Sequence, residues 1–386
     1  MEQPQVAAAS NELGLTVLKH LYNKSKDGHL VFSPVALAAT LTMTLAGSRT
    51  STASLIAKTM HVPASGGDKV HEQFREYLTS LQSSCDRDEF CLGARVYVDN
   101  KWPVLEEFKS QLQNWYMEAP RNMDLKHEAG RSEINNWVAE LTKGQVVDLL
   151  GPGAMEGDIR LVSGTYVKGK WDQQFPPQGT QPLPFIVAPG QSESVQTMCN
   201  TGRYPYIKDN ELRFAAIEVP YKGKELGMII FLPDEVFGLE VLMKNLTHAH
   251  VEKIIADLYM ADCTINLILP KFELKSSLQL NAVMDDLGLS DLYNPQTVDL
   301  SGMSSRGLCL AGVDHASVIK LDEEGSPPVV TPANQSRTKT GKSVKSVKAG
   351  SSNILKVRVD HPFMFVVVDR RVKSYLSMGF LTNPTL

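Results

Sequence analysis

The sequence predicts an α+β fold in one domain, and three observations predict it. Helical periodicity fills the N-terminal part, strand-like runs dominate from about residue 158, and no internal repeat or change of composition divides the chain. With 386 residues, 42% of them hydrophobic and 21% charged, the chain can bury a large core. Length alone would also fit two domains, but the pattern reads as residues 1–386 in a single unit.

In chain order, "VLKHLYN", "VALAATLTMTLAG", "HEQFREYLTSLQ", "LEEFKSQLQNWY" and "RSEINNWVAELTKG" bring apolar residues back every three or four positions, on one face of a helix. Strands follow: "LVSGTYVKGKW", "LRFAAIEVPY", "ELGMIIFLP", "CTINLILPKFEL", "ASVIKLD", "ILKVRV", "FMFVVVD" and "YLSMGFL". Two short helices, "LEVLMKNLTHAHVEKIIADL" and "SLQLNAVMDDLGL", interrupt them. One stretch fits neither pattern. Residues 322–353, "DEEGSPPVVTPANQSRTKTGKSVKSVKAGSSN", open on acids, carry Pro327, Pro328 and Pro332, and then place lysine at every third position from Lys339 to Lys348.

Charge separates the same region. Between Gly325 and Val359 there are seven basic residues and no acid. Subtracting +7 from the formal total of −4 leaves −11 on the rest, so a basic loop sits on an acidic body. No long apolar run predicts a transmembrane helix. The N-terminus lacks the cationic start and apolar core of a secretory signal. Cys85, Cys91, Cys199, Cys263 and Cys309 lack zinc spacing, and no metal or other cofactor is expected. A bridge between Cys85 and Cys91 is sterically open, but free buried thiols are the expectation.

Catalytic motifs occur only in broken form. Gly164 to Lys170 spells G-x-x-x-x-G-K, but Trp171 replaces the hydroxyl that would hold magnesium, and no helix follows. "SRTKTGKS", from Ser336 to Ser343, lacks the first glycine and a preceding strand. There is no G-x-S-x-G elbow. His248 and His250 lie two apart on a predicted helix and so point to different faces, which suits solvent better than a metal. Asp285 and Asp286 read as surface charge, so no catalytic residue and no enzyme activity are expected.

"NLILPKFEL", "LGLSDLY", "DLSGMS", "HASVIKLDEEG", "VDHPFMFVV" and "YLSMGFLTNP" resemble the serpin family in the family's own order. Upstream, "LVFSPVALAATLTMTLAGSRTST", "INNWVAELTKGQVVDLL", "LVSGTYVKGKWDQQF" and "IEVPYKGKELGMIIFLP" extend the resemblance to nearly the whole chain, residues 10–384. The resemblance implies three β-sheets, eight or nine helices, and an exposed reactive-centre loop at about residues 323–353. In inhibitory members a protease cuts that loop, and its first half then inserts into the large sheet while the acylated enzyme is carried along. The implied hinge comprises Glu323, Glu324, Gly325, Ser326, Pro327, Pro328 and Pro332; after Gly325 the family usually has an acid and then alanines.

Prolines are confined to sheet edges or bulges, so this hinge is a poor central strand. The resemblance also implies a hydrogen-bonded cluster where strands part, made here of Ser33, His315 and Ser163, with Trp171 beneath the insertion point. Ala36 and Ser163 replace the family's serine and asparagine, which implies lost polar partners. The loop runs longer than in most members. Counting on from Glu323 by the family's hinge spacing puts the reactive bond at Lys339 and Thr340, whereas counting back from "HPF" lands near Lys348 to Ser351.

Arg337, Lys339, Lys342, Lys345 and Lys348 all suit a trypsin-like serine protease, whose primary pocket holds an acid. The same lysines suit an acidic polysaccharide, while the absence of interleaved aromatics argues against nucleic acid. "GDKVHEQFREYLTSL" sets Lys69 and Arg75 against Glu72 and Glu76, so no heparin site is carried over there. Sequons at Asn23, Asn245 and Asn334 offer glycosylation in a secreted protein. An extracellular monomer is expected, with the cytoplasm as the alternative. Two functions remain: a serpin that is cleaved as a substrate, decoy or scaffold without efficient trapping, or a suicide inhibitor of a trypsin-like protease.

Overall fold

A computed structural model of the chain describes residues 4–26, 28–63, 67–84, 90–152, 157–324 and 354–385. The first half is mostly helical: α1 (Gln5–Lys24), β1 (Leu30–Phe32), α2 (Pro34–Gly47), α3 (Thr50–Thr59), α4 (Asp68–Ser84), β2 (Phe90–Asp99), α5 (Glu106–Tyr116), β3 (Arg121–Met123) and α6 (Glu128–Leu141). Strands then prevail: β4 (Ile159–Val167), β5 (Gln181–Ala188), β6 (Gln191–Tyr204), β7 (Tyr206–Asp209), β8 (Phe214–Pro220) and β9 (Leu226–Pro233). After α7 (Leu239–Asn245) and α8 (His248–Met260) come β10 (Cys263–Pro270), β11 (Phe272–Gln279), α9 (Asn281–Asp286) and β12 (Leu310–Leu321). The chain closes with β13 (Leu355–Arg358), β14 (Phe363–Asp369) and β15 (Ser374–Leu381).

The strands form three sheets, ordered β1-β15-β14-β9-β8-β7, β13-β10-β6-β5 and β11-β12-β4-β2-β3. Among the described residues there are nine α-helices. The division into helices first and strands later needs correction, because β1, β2 and β3 precede residue 158. Strand β2 hid because it lies inside a sheet, between β3 and β4, and so lacks the alternation of a half-buried strand. Helix α2 is apolar nearly all round because it is buried beneath the five-stranded sheet, packed against both β2 and β4. Helix α6 covers the opposite face, where Ile134 and Val138 join Tyr97, Val162, Tyr166, Ala316 and Val318 in a second apolar cluster.

Other boundaries moved for local reasons. The predicted helix 239–258 is two helices, since Thr247 caps α8 by accepting from His250 N–H while His250 Nδ1 accepts from Thr247 N–H. The predicted helix at 277–289 is mostly strand and turn, with α9 only Asn281–Asp286. The thiols were expected to be buried; instead Cys263 is exposed, and Cys91, Cys199 and Cys309 are partly buried, while Cys85 lies outside the described residues.

Candidate functional site: the sheet seam and the loop entry

The five-stranded sheet carries a parallel ladder at its centre, running from Ile159 opposite Leu310 to Val167 opposite Ile319. Its flanks, β11 with β12 and β4 with β2, are antiparallel. This seam is tight. A Cβ at Gly164 would lie 2.6 Å from the carbonyl oxygen of Ala316. A Cβ at Gly169 would lie 2.4 Å from the ring of Tyr221. Both glycines of the broken phosphate-loop motif are thereby accounted for by packing.

Side chains fasten the seam on both faces. Toward α2, Ser33 N–H donates to Nε2 of His315 at 3.0 Å, which fixes the other ring nitrogen as the protonated one. Nδ1 then donates to Ser163 Oγ at 2.9 Å. Ser33 is also the N-cap of α2, its Oγ accepting from Ala36 N–H at 3.2 Å. So the histidine ring keeps both partners despite Ala36 and Ser163, while Ser317 Oγ is buried with no partner among the described residues. Burial lowers the His315 pKa to about 3, so the ring is neutral at physiological pH.

Toward the α6 face, Arg160 on β4 and Asp314 on β12 form an ion pair at 2.7 Å across the seam. Their side chains are 13% and 1% exposed. Burial raises the Asp314 carboxyl against the pull of Arg160.

The loop entry at the end of β12 is clamped by one segment that follows β4. Trp171 Nε1–H donates to Asp322 O at 2.9 Å, Phe175 N–H to Glu323 O at 2.8 Å and Trp171 N–H to Glu324 O at 2.9 Å. The Glu323 carboxylate accepts from Thr180 Oγ1 and from Lys271 Nζ, both at 2.7 Å. Burial works to raise that carboxyl, but these two hydrogen bonds outweigh it and hold it below its ordinary 4.5. Trp171 itself is buried and stacked on Tyr221, ring centroids 4.6 Å apart.

The same segment holds the loop's far end. Ile186 N–H donates to Asp360 O at 2.7 Å, and Arg358 reaches Pro184 O at 3.2 Å. Strand β13 pairs in parallel with β10. Of the loop residues singled out in the sequence, Gly325, Ser326, Pro327, Pro328, Pro332, Asn334, Arg337, Lys339, Thr340, Lys342, Lys345 and Lys348 lie outside the described residues. Asn23 and Asn245 are exposed, at the last turns of α1 and α7. His248 faces Glu252 at 3.4 Å while His250 serves the cap of α8.

Three sheets and nine α-helices among the described residues, with a closed parallel seam whose strand β12 ends just before the expected loop, match what the sequence motifs imply. The family model for serpins, serine protease inhibitors, matches residues 8–384. The chain belongs to the serpin family. This serpin is 32% identical over 383 residues to Iris of Ixodes ricinus, with 97% of this chain and 98% of the relative covered. Serpin B6 of Macaca fascicularis is 30% identical, with 98% and 99% covered. Among solved structures, maspin superposes with a TM-score of 0.85 at 25% identity, with 99% of each chain covered. Uncleaved ovalbumin shares the fold, with a TM-score of 0.83 at 24% identity over 98% of this chain and all of that one.

Sequence reasoning missed Lys271, Thr180, Arg160 and Asp314. A signal for the last two existed: "DIRLVSG" and "GVDHASV" each set a charge inside a run that otherwise reads as a buried strand.

Proposed function

We propose that this serpin presents its basic loop as bait to a trypsin-like serine protease and is cleaved there without efficient trapping. The observation that carries the reading is the set of three prolines, Pro327, Pro328 and Pro332, in the first eight residues after Glu324. A strand entering between β12 and β4 would have to give its N–H groups alternately to the two neighbours. Adjacent Pro327 and Pro328 remove one donor from each side. Pro332, an even step from Pro328, removes a second from that same side. At about 1–3 kcal/mol per buried carbonyl left unpaired, insertion loses on the order of 3–9 kcal/mol. Trapping is a race against hydrolysis of the acyl-enzyme, and a slowed insertion loses it.

Lys339 with Thr340 is the first candidate for the reactive bond, with Arg337, Lys342, Lys345 and Lys348 as alternatives, each fitting an acid-bottomed primary pocket. An acidic polysaccharide is a second class of partner for the same lysines. We assign the protein to the extracellular space as a monomer, with the cytoplasm as the alternative.

Incubation with trypsin followed by mass spectrometry tests the reading. The expected result is cleavage after a loop lysine, no SDS-stable species at the summed mass, and no large rise in the melting temperature after cleavage. A covalent band that Lys339→Ala abolishes would instead identify a suicide inhibitor of a trypsin-like protease.

A further inference from the structure

We propose that the Arg160 and Asp314 ion pair is a lock on the β4–β12 seam, a positioning pair that opposes strand insertion independently of the loop's prolines. It rests on the reading that opening this seam limits what the protein does to a protease.

The pair straddles the seam diagonally. Arg160 is registered opposite Gly312, and Asp314 opposite Val162. A Cβ at position 312 would lie 3.0 Å from Arg160 Nη1, so the missing side chain leaves the bed in which the guanidinium lies. Asp314 and His315 are neighbours on one strand, so their side chains leave it on opposite faces. One face is fastened by a neutral hydrogen bond to Ser163, the other by paired charges. A strand entering at the hinge end, from Ile319 and Val167, passes His315 and Ser163 before it reaches Asp314 and Arg160.

The charges weigh more on the open state than on the closed one, where Asp314 already bears a burial cost that Arg160 partly offsets. Neighbouring strands lie about 4.8 Å apart, so an inserted strand adds about that distance between β4 and β12. A contact of 2.7 Å does not survive it. Two charges, one of them 1% exposed, would then be held in a sheet interior without each other. Two apolar side chains at the same positions would remain buried on either side of the new strand and lose nothing comparable. The lock therefore costs the closed sheet less than the opened one.

The test uses intact full-length protein and a supplied strand, so it does not depend on the protein's own loop. The probe is an acetylated peptide of residues 326–339 carrying alanine at 327, 328 and 332, and its incorporation is followed by native gel and mass spectrometry. The double variant Arg160→Met, Asp314→Leu should take up the peptide about tenfold faster or more than the wild type, a change of roughly 1.4 kcal/mol in the barrier. Its melting temperature without peptide should stay unchanged or rise, which a merely structural role for the pair would not give. Arg160→Gln with Asp314→Asn, uncharged and polar, the second isosteric and the first shorter than arginine, supplies the same comparison should the apolar pair fail to fold. Equal rates in wild type and variants, or no incorporation into any of them, would overturn the lock. A covalent trypsin complex formed by the wild type would sink the loop reading instead, leaving these rates to decide the lock separately.

Discussion

His315 is fully buried yet carries no charge problem, because its two partners settle its tautomer. Ser33 N–H occupies Nε2 and Ser163 Oγ occupies Nδ1, so protonation would force a donor against a donor at Nε2. The consequence is a pH dependence with a definite sign. The folded state keeps the ring neutral down to about pH 3, whereas the unfolded chain takes up a proton near 6.5. Between those values the unfolded state binds more protons, so this contribution to stability is complete above 6.5 and shrinks steadily as pH falls toward 3. His71 shifts in the same direction, to about 4, and a variant that leaves it in place cancels its share. His315→Gln can still accept from Ser33 and donate to Ser163 but cannot titrate. Between pH 7 and pH 4 it should lose less stability than the wild type by on the order of 2–3 kcal/mol, measured by urea unfolding at each pH. Parallel curves for the two proteins would show that His315 does not set the slope.

At the scale of elements, what periodicity can carry was legible. Helices α4, α5 and α6 are amphipathic and were visible, as were β8, β9, β14 and β15, whose continuous apolar runs are those of strands buried on both faces. Strands β5 and β6 were not, because the first holds Pro182 and Pro184 at a sheet edge and the second begins with four exposed polar residues. The cluster of Ser33, Ser163 and His315 was named only through the family's motifs, since residues 33, 163 and 315 have no local signal that they meet. The clamp on the Glu323 side chain was invisible for the same reason: Thr180 and Lys271 come from two separate places in the chain, both far from Glu323. The hinge, by contrast, is readable from composition, and its prolines predict an outcome. Replacing Pro327, Pro328 and Pro332 together with alanine restores three backbone donors, and the trypsin-cleaved variant should then melt at a higher temperature than the cleaved wild type. Identical melting of the two cleaved proteins would remove the prolines as the obstacle.

For the molecule as a whole, the seam behaves as one cooperative barrier with two independent contributions, the donors missing from the entering strand and the charges that its entry would separate. Interfaces between packed strands are either closed or open, with little stable ground between, so an insertion slowed twice still loses the race with acyl-enzyme hydrolysis when one obstacle is lifted, even where the cleaved loop inserts afterwards. The clamp at Glu323 and the fastening of β13 hold both ends of the loop on one frame, the segment running from Trp171 to Ile186, so insertion also has to release the entry end from that frame. This predicts a strongly non-additive pattern. The alanine hinge alone and the Arg160→Met, Asp314→Leu pair alone should each give little SDS-stable complex with trypsin. Combined in one chain they should yield a covalent complex in an amount exceeding the sum of the two, together with a marked rise in melting temperature on cleavage. Gel densitometry of the four proteins against one batch of trypsin reads the outcome directly. Simple additivity would mean that the two obstacles do not act on a common opening of the β4–β12 seam.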